Sequence, residues 1–112
     1  MDTNRNFLKV TTADDGALRV AGDVDMAGGP ILEQALLEWE AAMLDHEGAD
    51  TVIDLSEVHF MDSSGLRSLL AAARRAAARS AGIELRSVGP ELVRLLEFTG
   101  TIDLFAIASR RD

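Results

Sequence analysis

Residues 51–55 read TVIDL, a short, β-branched and mostly apolar run of the kind that forms a central strand. From Leu66 onward the pattern changes. Leu66, Leu69, Leu70, Ala73 and Ala77 recur at the spacing of one helix face, and the helix is expected to run to about Ser80, with Gly82 as its stop. A buried strand that hands over to an amphipathic helix within a few residues implies a sheet whose strands are joined by helical crossovers. The hand-over, FMDSSGL at residues 60–66, sets a carboxylate and two hydroxyls between apolar flanks.

The rest of the chain fits that frame. Residues 7–11 (FLKVT) and 17–21 (ALRVA) alternate apolar and polar around the turn signal Asp14-Asp15-Gly16, which predicts a hairpin. A first helix is expected after Pro30, which has no N–H to lose in an opening turn, with Leu32, Leu36, Trp39 and Met43 as its inward stripe. Residues 31–50 hold six acids and neither Lys nor Arg, so the outer face of that helix reads as strongly negative. The second helix carries Arg67, Arg74, Arg75 and Arg79 with no acid, so its exposed side reads as positive. Residues 83–88 (IELRSV) alternate as a strand, and Gly89-Pro90 opens a third helix with Leu92, Leu95, Leu96 and Thr99 on one side and Gly100 as its stop. A short last strand is expected at 104–107. The predicted fold class is α/β, a single domain with a mixed sheet in the order β-β-α-β-α-β-α-β.

Composition narrows the function classes. A chain of 112 residues suits one compact domain, and 47% hydrophobic residues supply an ordinary core. The net charge of −8, from 19 acids and 11 bases, argues against nucleic acid or an anionic membrane as a direct partner. With no cysteine, disulfides and thiolate metal sites are excluded and a reducing compartment is permitted. The N-terminus shows no signal-type apolar stretch, and no segment approaches the roughly 20 apolar residues that span a bilayer. These features predict a cytoplasmic protein.

Catalytic and metal chemistry find little support. Ser63, His59 and Asp62 are almost contiguous, whereas a hydrolytic triad converges from separate backbone positions. His46 and His59 are the only histidines, and neither has a second ligand at metal-binding spacing. His46 reads as a polar residue near a helix end and His59 as a loop residue. No phosphate-cradling glycine motif is present, and Gly28, Gly29 and Gly65 read as turn or cap glycines. The expectation is a protein that is not an enzyme and needs no metal or cofactor.

Two readings of FMDSSGL remain open on the residues alone. Asp62 or Ser63 stands where a helix N-cap belongs, a role worth about 1 kcal/mol. Alternatively a serine at an exposed strand-to-helix junction is a modification site. A phosphate there adds about −1.5 to −2 charges, which a helix N-terminus tolerates and a partner packed on a neutral hydroxyl does not.

FMDSSGL, at the end of a strand beginning TVIDLS, resembles the signature of the STAS domain, specifically of the bacterial anti-sigma factor antagonists. AGDVD at 21–25 is similar to the family's segment before its first helix, and residues 88–107 (VGPELVRLLEFTGTIDLFAI) to its third helix and last strand. The resemblance covers about residues 7–107. It implies a protein that binds an anti-sigma factor serine kinase, releases a sigma factor, and is inactivated by phosphorylation on the serine after the motif's Asp, here Ser63, until a serine phosphatase resets it. It further implies partner contacts for Asp62, Ser64, Gly65 and Asp25, the last being equally open to a turn or cap role. Family members often open the first helix with Thr or Ser, whereas DMAGGP stands here, which implies a weaker cap and a looser loop. The antagonist is expected as a monomer or weak homodimer. A non-switching STAS scaffold, as in stressosome assemblies or lipid-transport complexes, is the alternative.

Overall fold

The N-terminal alternation produces a hairpin in which β1 (Lys9–Thr12) pairs antiparallel with β2 (Leu18–Val24), Val10 opposite Val20. Asp15 Oδ1 accepts from the Ala17 N–H at 3.0 Å, and Gly16 takes the φ of 90° that the turn requires. The computed structural model describes residues 7–46 and 48–108. Along them follow α1 (Gly28–Ala42), β3 (Thr51–Met61), α2 (Ser63–Ala78), β4 (Ile83–Arg86), α3 (Pro90–Phe98), a 3-10 turn (Ile102–Leu104) and β5 (Ala106–Ile107). This is the predicted order of strands and helices.

The sheet runs β1-β2-β3-β4-β5, with every neighbour from β2 to β5 parallel. Sequential parallel strands joined by right-handed crossovers keep all connecting helices on one face. Burial follows that geometry. Leu18, Val20, Ile53, Leu55, Ile83 and Leu85 share one core with Leu32 and Leu36 of α1, Leu69 and Ala76 of α2, and Val93 and Leu96 of α3. The alternate strand residues Arg19, Asp54, Glu84 and Arg86 lie on the opposite face. There Arg19 pairs with Asp54 at 3.7 Å, and Arg86 with Glu84 at 2.9 Å and Asp15 at 2.7 Å. The Arg86 hydrogen bond holds the Asp15 carboxyl below its ordinary range.

Several sequence expectations are corrected. The strand read at 51–55 continues to Met61, so Phe60, Met61 and His59 belong to β3 and not to a loop. Pairing with β2 slips twice, between Arg19 and Ala21 and between Gly22 and Asp23, because β3 carries extra residues at both places. Such bulges break the period-2 signal after Leu55, where Asp54 Oδ1 also caps the Ser56 N–H at 2.9 Å. Helix α1 starts at Gly28, before Pro30. The left-handed residue after α2 is Ser80, at φ 58°, and Gly82 does not end the helix. Ala77 and Thr99 are exposed, while Ala72, Ala76 and Val93 are buried in the helix faces that those two were expected to share.

The charged faces of the first two helices are also not simply solvated. Helices α1 and α2 lie against each other, and Arg75 Nε donates to Glu40 Oε1 at 2.7 Å while its Nη1 reaches Glu33 at 3.1 Å. Arg79 stands 3.7 Å from the same Glu40 oxygen, and the Glu40 side chain is 11% exposed. Glu40, then Glu33, raise the Arg75 guanidinium above its ordinary value against the cost of its burial. Removing one member of such a cluster strands the others. Glu40→Ala should lower stability to urea by about 1–3 kcal/mol, whereas Glu38→Ala on the exposed side should change it by less than about 0.5 kcal/mol.

Candidate functional site

Val24 and Met61 are the last paired residues of β2 and β3, so Asp25 and Asp62 leave the C-terminal edge of the sheet side by side. The Asp62 N–H donates back to Val24 O at 3.1 Å, which carries the pairing one residue further. Asp62 then turns the chain into α2. Its backbone is extended, its Oδ1 accepts from the Ser64 N–H at 2.8 Å, and its carbonyl accepts from the Leu66 N–H at 3.1 Å. Of the two cap candidates, Asp62 is therefore the cap. Ser63 occupies the first helical position with its side chain exposed, and Ser64 is half-buried.

The neighbouring turn is built the same way. Asp25 Oδ1 accepts from the N–H groups of Ala27 and Gly28 at 3.0 and 2.9 Å, and its carbonyl accepts from the Gly29 N–H at 2.7 Å. Helix α1 then begins close against both β2 and α2. A Cβ on Gly28 would collide with the Asp23 carbonyl oxygen, and one on Gly29 would stand 3.0 Å from Ser64 Cβ. Across this contact the buried Ser68 hydroxyl donates to Gly29 O at 3.1 Å, with Ser64 O at 3.3 Å as its second acceptor. Gly65 is buried beneath, where a Cβ would lie 2.6 Å from Met61 Cγ and 2.7 Å from Val24 Cγ1. The loop read as loose at DMAGGP is thus a close-packed junction.

The family model described as Mlab, STAS domain matches residues 8–105. The chain belongs to the STAS domain family. A Listeria monocytogenes anti-sigma-B factor antagonist is 32% identical over 100 residues, which are 89% of this chain and 84% of that protein. The crystal structure of an anti-sigma factor antagonist from Mycobacterium paratuberculosis superposes with a TM-score of 0.69 at 28% identity, over 95% of this chain and 87% of that one. The Bacillus cell fate determinant SpoIIAA in its phosphorylated form shares the fold, with a TM-score of 0.64 at 16% identity over 90% of each chain.

In this STAS domain the five residues singled out by sequence, Asp25, Asp62, Ser63, Ser64 and Gly65, meet at one end of the sheet. The sequence reading missed Ser68 and the packing role of Gly28 and Gly29. Ser68 had a signal, a serine four residues after Ser64 on the apolar stripe of α2. Two apolar side chains flank the site, Met26 at 82% and Phe60 at 53% exposure. Because β4 pairs only with Thr51 to Asp54, the far end of β3 borders an open groove of about 670 Å³ against α3, lined by Val58, Phe60, Met61, Pro90 and Leu95. His59 lines the same groove and, among the described residues, makes no hydrogen bond to Ser63; His46 is exposed in the turn after α1. Among the described residues no cluster of three or more His, Asp or Glu is placed to hold a metal, and no helix is long and apolar enough to cross a membrane.

The glycine contacts give a direct test. Gly65→Ala adds helix propensity worth about 1 kcal/mol but drives a methyl into Val24, a stiff β-branched neighbour. The variant should be less stable by about 1–2 kcal/mol, a fall of roughly 4–15 °C in Tm. Val24→Ala in the same chain should recover part of that loss, which a double-mutant cycle in thermal unfolding will read.

Proposed function

We propose that this STAS domain is an anti-sigma factor antagonist that binds an anti-sigma factor serine kinase, so that a sigma factor is released, and that phosphorylation of Ser63 ends the binding. The observation that carries this reading is the division of labour at the junction. Asp62 spends its carboxylate on the Ser64 N–H, Ser64 is half-buried against α1, and Ser63 alone of the three is exposed. The names of the Listeria and Mycobacterium relatives, and the phosphorylated form of SpoIIAA, support the same reading.

The chemistry follows from position. Unmodified, the first turn of α2 offers a neutral hydroxyl beside two carboxylates, Asp62 and Asp25, with Met26 and Phe60 as apolar contacts. Asp25, Asp62, Ser64 and Gly65 form or support the partner surface. Their geometry stays fixed whichever state Ser63 is in, because each is held by backbone bonds or packing. A phosphate on Ser63 adds about −1.5 to −2 charges to a face that already carries two carboxylates. The helix N-terminus stabilises that anion, so the fold persists while the complex does not. A serine phosphatase would restore the binding state. In this reading the protein acts in the cytoplasm as a monomer or weak homodimer, without a cofactor.

Incubation with its cognate kinase and Mg-ATP should place phosphate on Ser63, as mapped by mass spectrometry; phosphate found only elsewhere removes the mechanism. Ser63→Ala should bind the kinase about as well as the parent chain, and Ser63→Asp at least about tenfold more weakly, close to 1.4 kcal/mol. Equal affinities in calorimetry would refute the charge argument.

A further inference from the structure

The arginines of the described residues divide into two groups. Arg19, Arg75, Arg79 and Arg86 are committed to ion pairs with Asp54, Glu33, Glu40, Asp15 and Glu84. Among the described residues Arg67, Arg74 and Arg94 form none, and all three are exposed. Arg67 differs from the other two in its place. It follows Ser63 by four residues in α2, so the two side chains share one exposed helix face with Cβ atoms about 6 Å apart. Side chains in a helix lean toward its N-terminus, which carries the Arg67 guanidinium back over the turn that holds Ser63.

We propose that Arg67 is the switch partner of Ser63: its guanidinium is presented beside the hydroxyl in the unmodified protein and closes onto the phosphate, in cis, once Ser63 carries one. The inference rests on Ser63 as the modified residue. A guanidinium fork matches phosphate oxygens better than any other side chain, and it keeps its charge at every relevant pH. Phosphorylation then alters the face twice, adding an anion and withdrawing from the partner the nearest cation on α2. The charged groups nearest in sequence and turn are the carboxylates of Asp62 and Asp25, which repel a phosphate, and the groove lined by Phe60 and Met61 also carries Arg94, Glu91 and His59. Arg74 is eleven residues from Ser63, about 16 Å along the helix axis, well beyond the screening length of about 8–10 Å in physiological salt.

The test uses the full chain with phosphoserine installed at position 63 during translation, so no kinase is needed. The phosphate is titrated by phosphorus NMR at 0.1 M salt. Its second pKa, about 6 for an isolated phosphoserine, should lie lower in the parent chain. Arg67→Gln should raise it by roughly 0.3, about what an exposed i,i+4 pair is worth. Arg74→Gln removes the same charge from beyond the screening length and should move it by less than about 0.1. An unchanged titration in Arg67→Gln, or an equal shift in the Arg74→Gln control, overturns the proposal. Failure here leaves the kinase reading standing, and a kinase that modifies another residue sinks that reading without touching this titration.

Discussion

The candidate face depends on two helix N-termini that approach the sheet edge more closely than a Cβ allows. Gly28 and Gly65 lack the Cβ atoms that would collide with the Asp23 carbonyl and with Val24 and Met61, and Gly29 makes a tight contact with Ser64 between the helices. The Ser68 hydroxyl, itself buried, then satisfies the Gly29 carbonyl across the gap. Asp25 and Ser63 stand on separate turns, and that approach packs the two turns together. With it, a carboxylate from each of two neighbouring strand ends and one exposed hydroxyl occupy a single rim. The order of strands does the rest, since parallel β2 and β3 deliver both turns to the same edge.

Much of this was legible in the residues because the chain is well punctuated. Gly89-Pro90 opens α3, and Gly100 closes it at φ 71°. Asp62 ahead of two serines marks a helix start whatever else it does. The central strand was only half legible. Ile53 and Leu55 point inward at period two, and then the extra residues of β3 shift the phase, so that SEVHF reads as loop although it remains paired with β2. Serine at the left-handed position after α2 concealed a turn that glycine would have announced. The glycine pair at 28 and 29 was visible but ambiguous. A loose loop and a tight contact have the same local sequence, and only Ser64, thirty-five residues further on, tells them apart.

Charge shows the same division between composition and arrangement. The sequence makes α1 acidic and α2 basic, but which charges face each other depends on the rotation of two helices that meet only in the folded state. Half of the expected positive surface proves to be internal glue, with Arg75 and Arg79 turned toward Glu33 and Glu40. The remainder, Arg67 and Arg74, which form no ion pair among the described residues, supplies the positive charge on the outer side of α2.

Polar contacts between α1 and α2 run along the pair: Ser68 to Gly29 near the N-termini, then Arg75 to Glu33 and Glu40, with Arg79 beside Glu40 near the C-termini. Two rods fastened at both ends have no hinge. Neither can roll on the other without giving up a bond made by a buried or half-buried group. In the switch proposed above, a charge added at the exposed first turn of α2 is read where it is written, as a change in surface potential, on a domain that these contacts fasten at both ends.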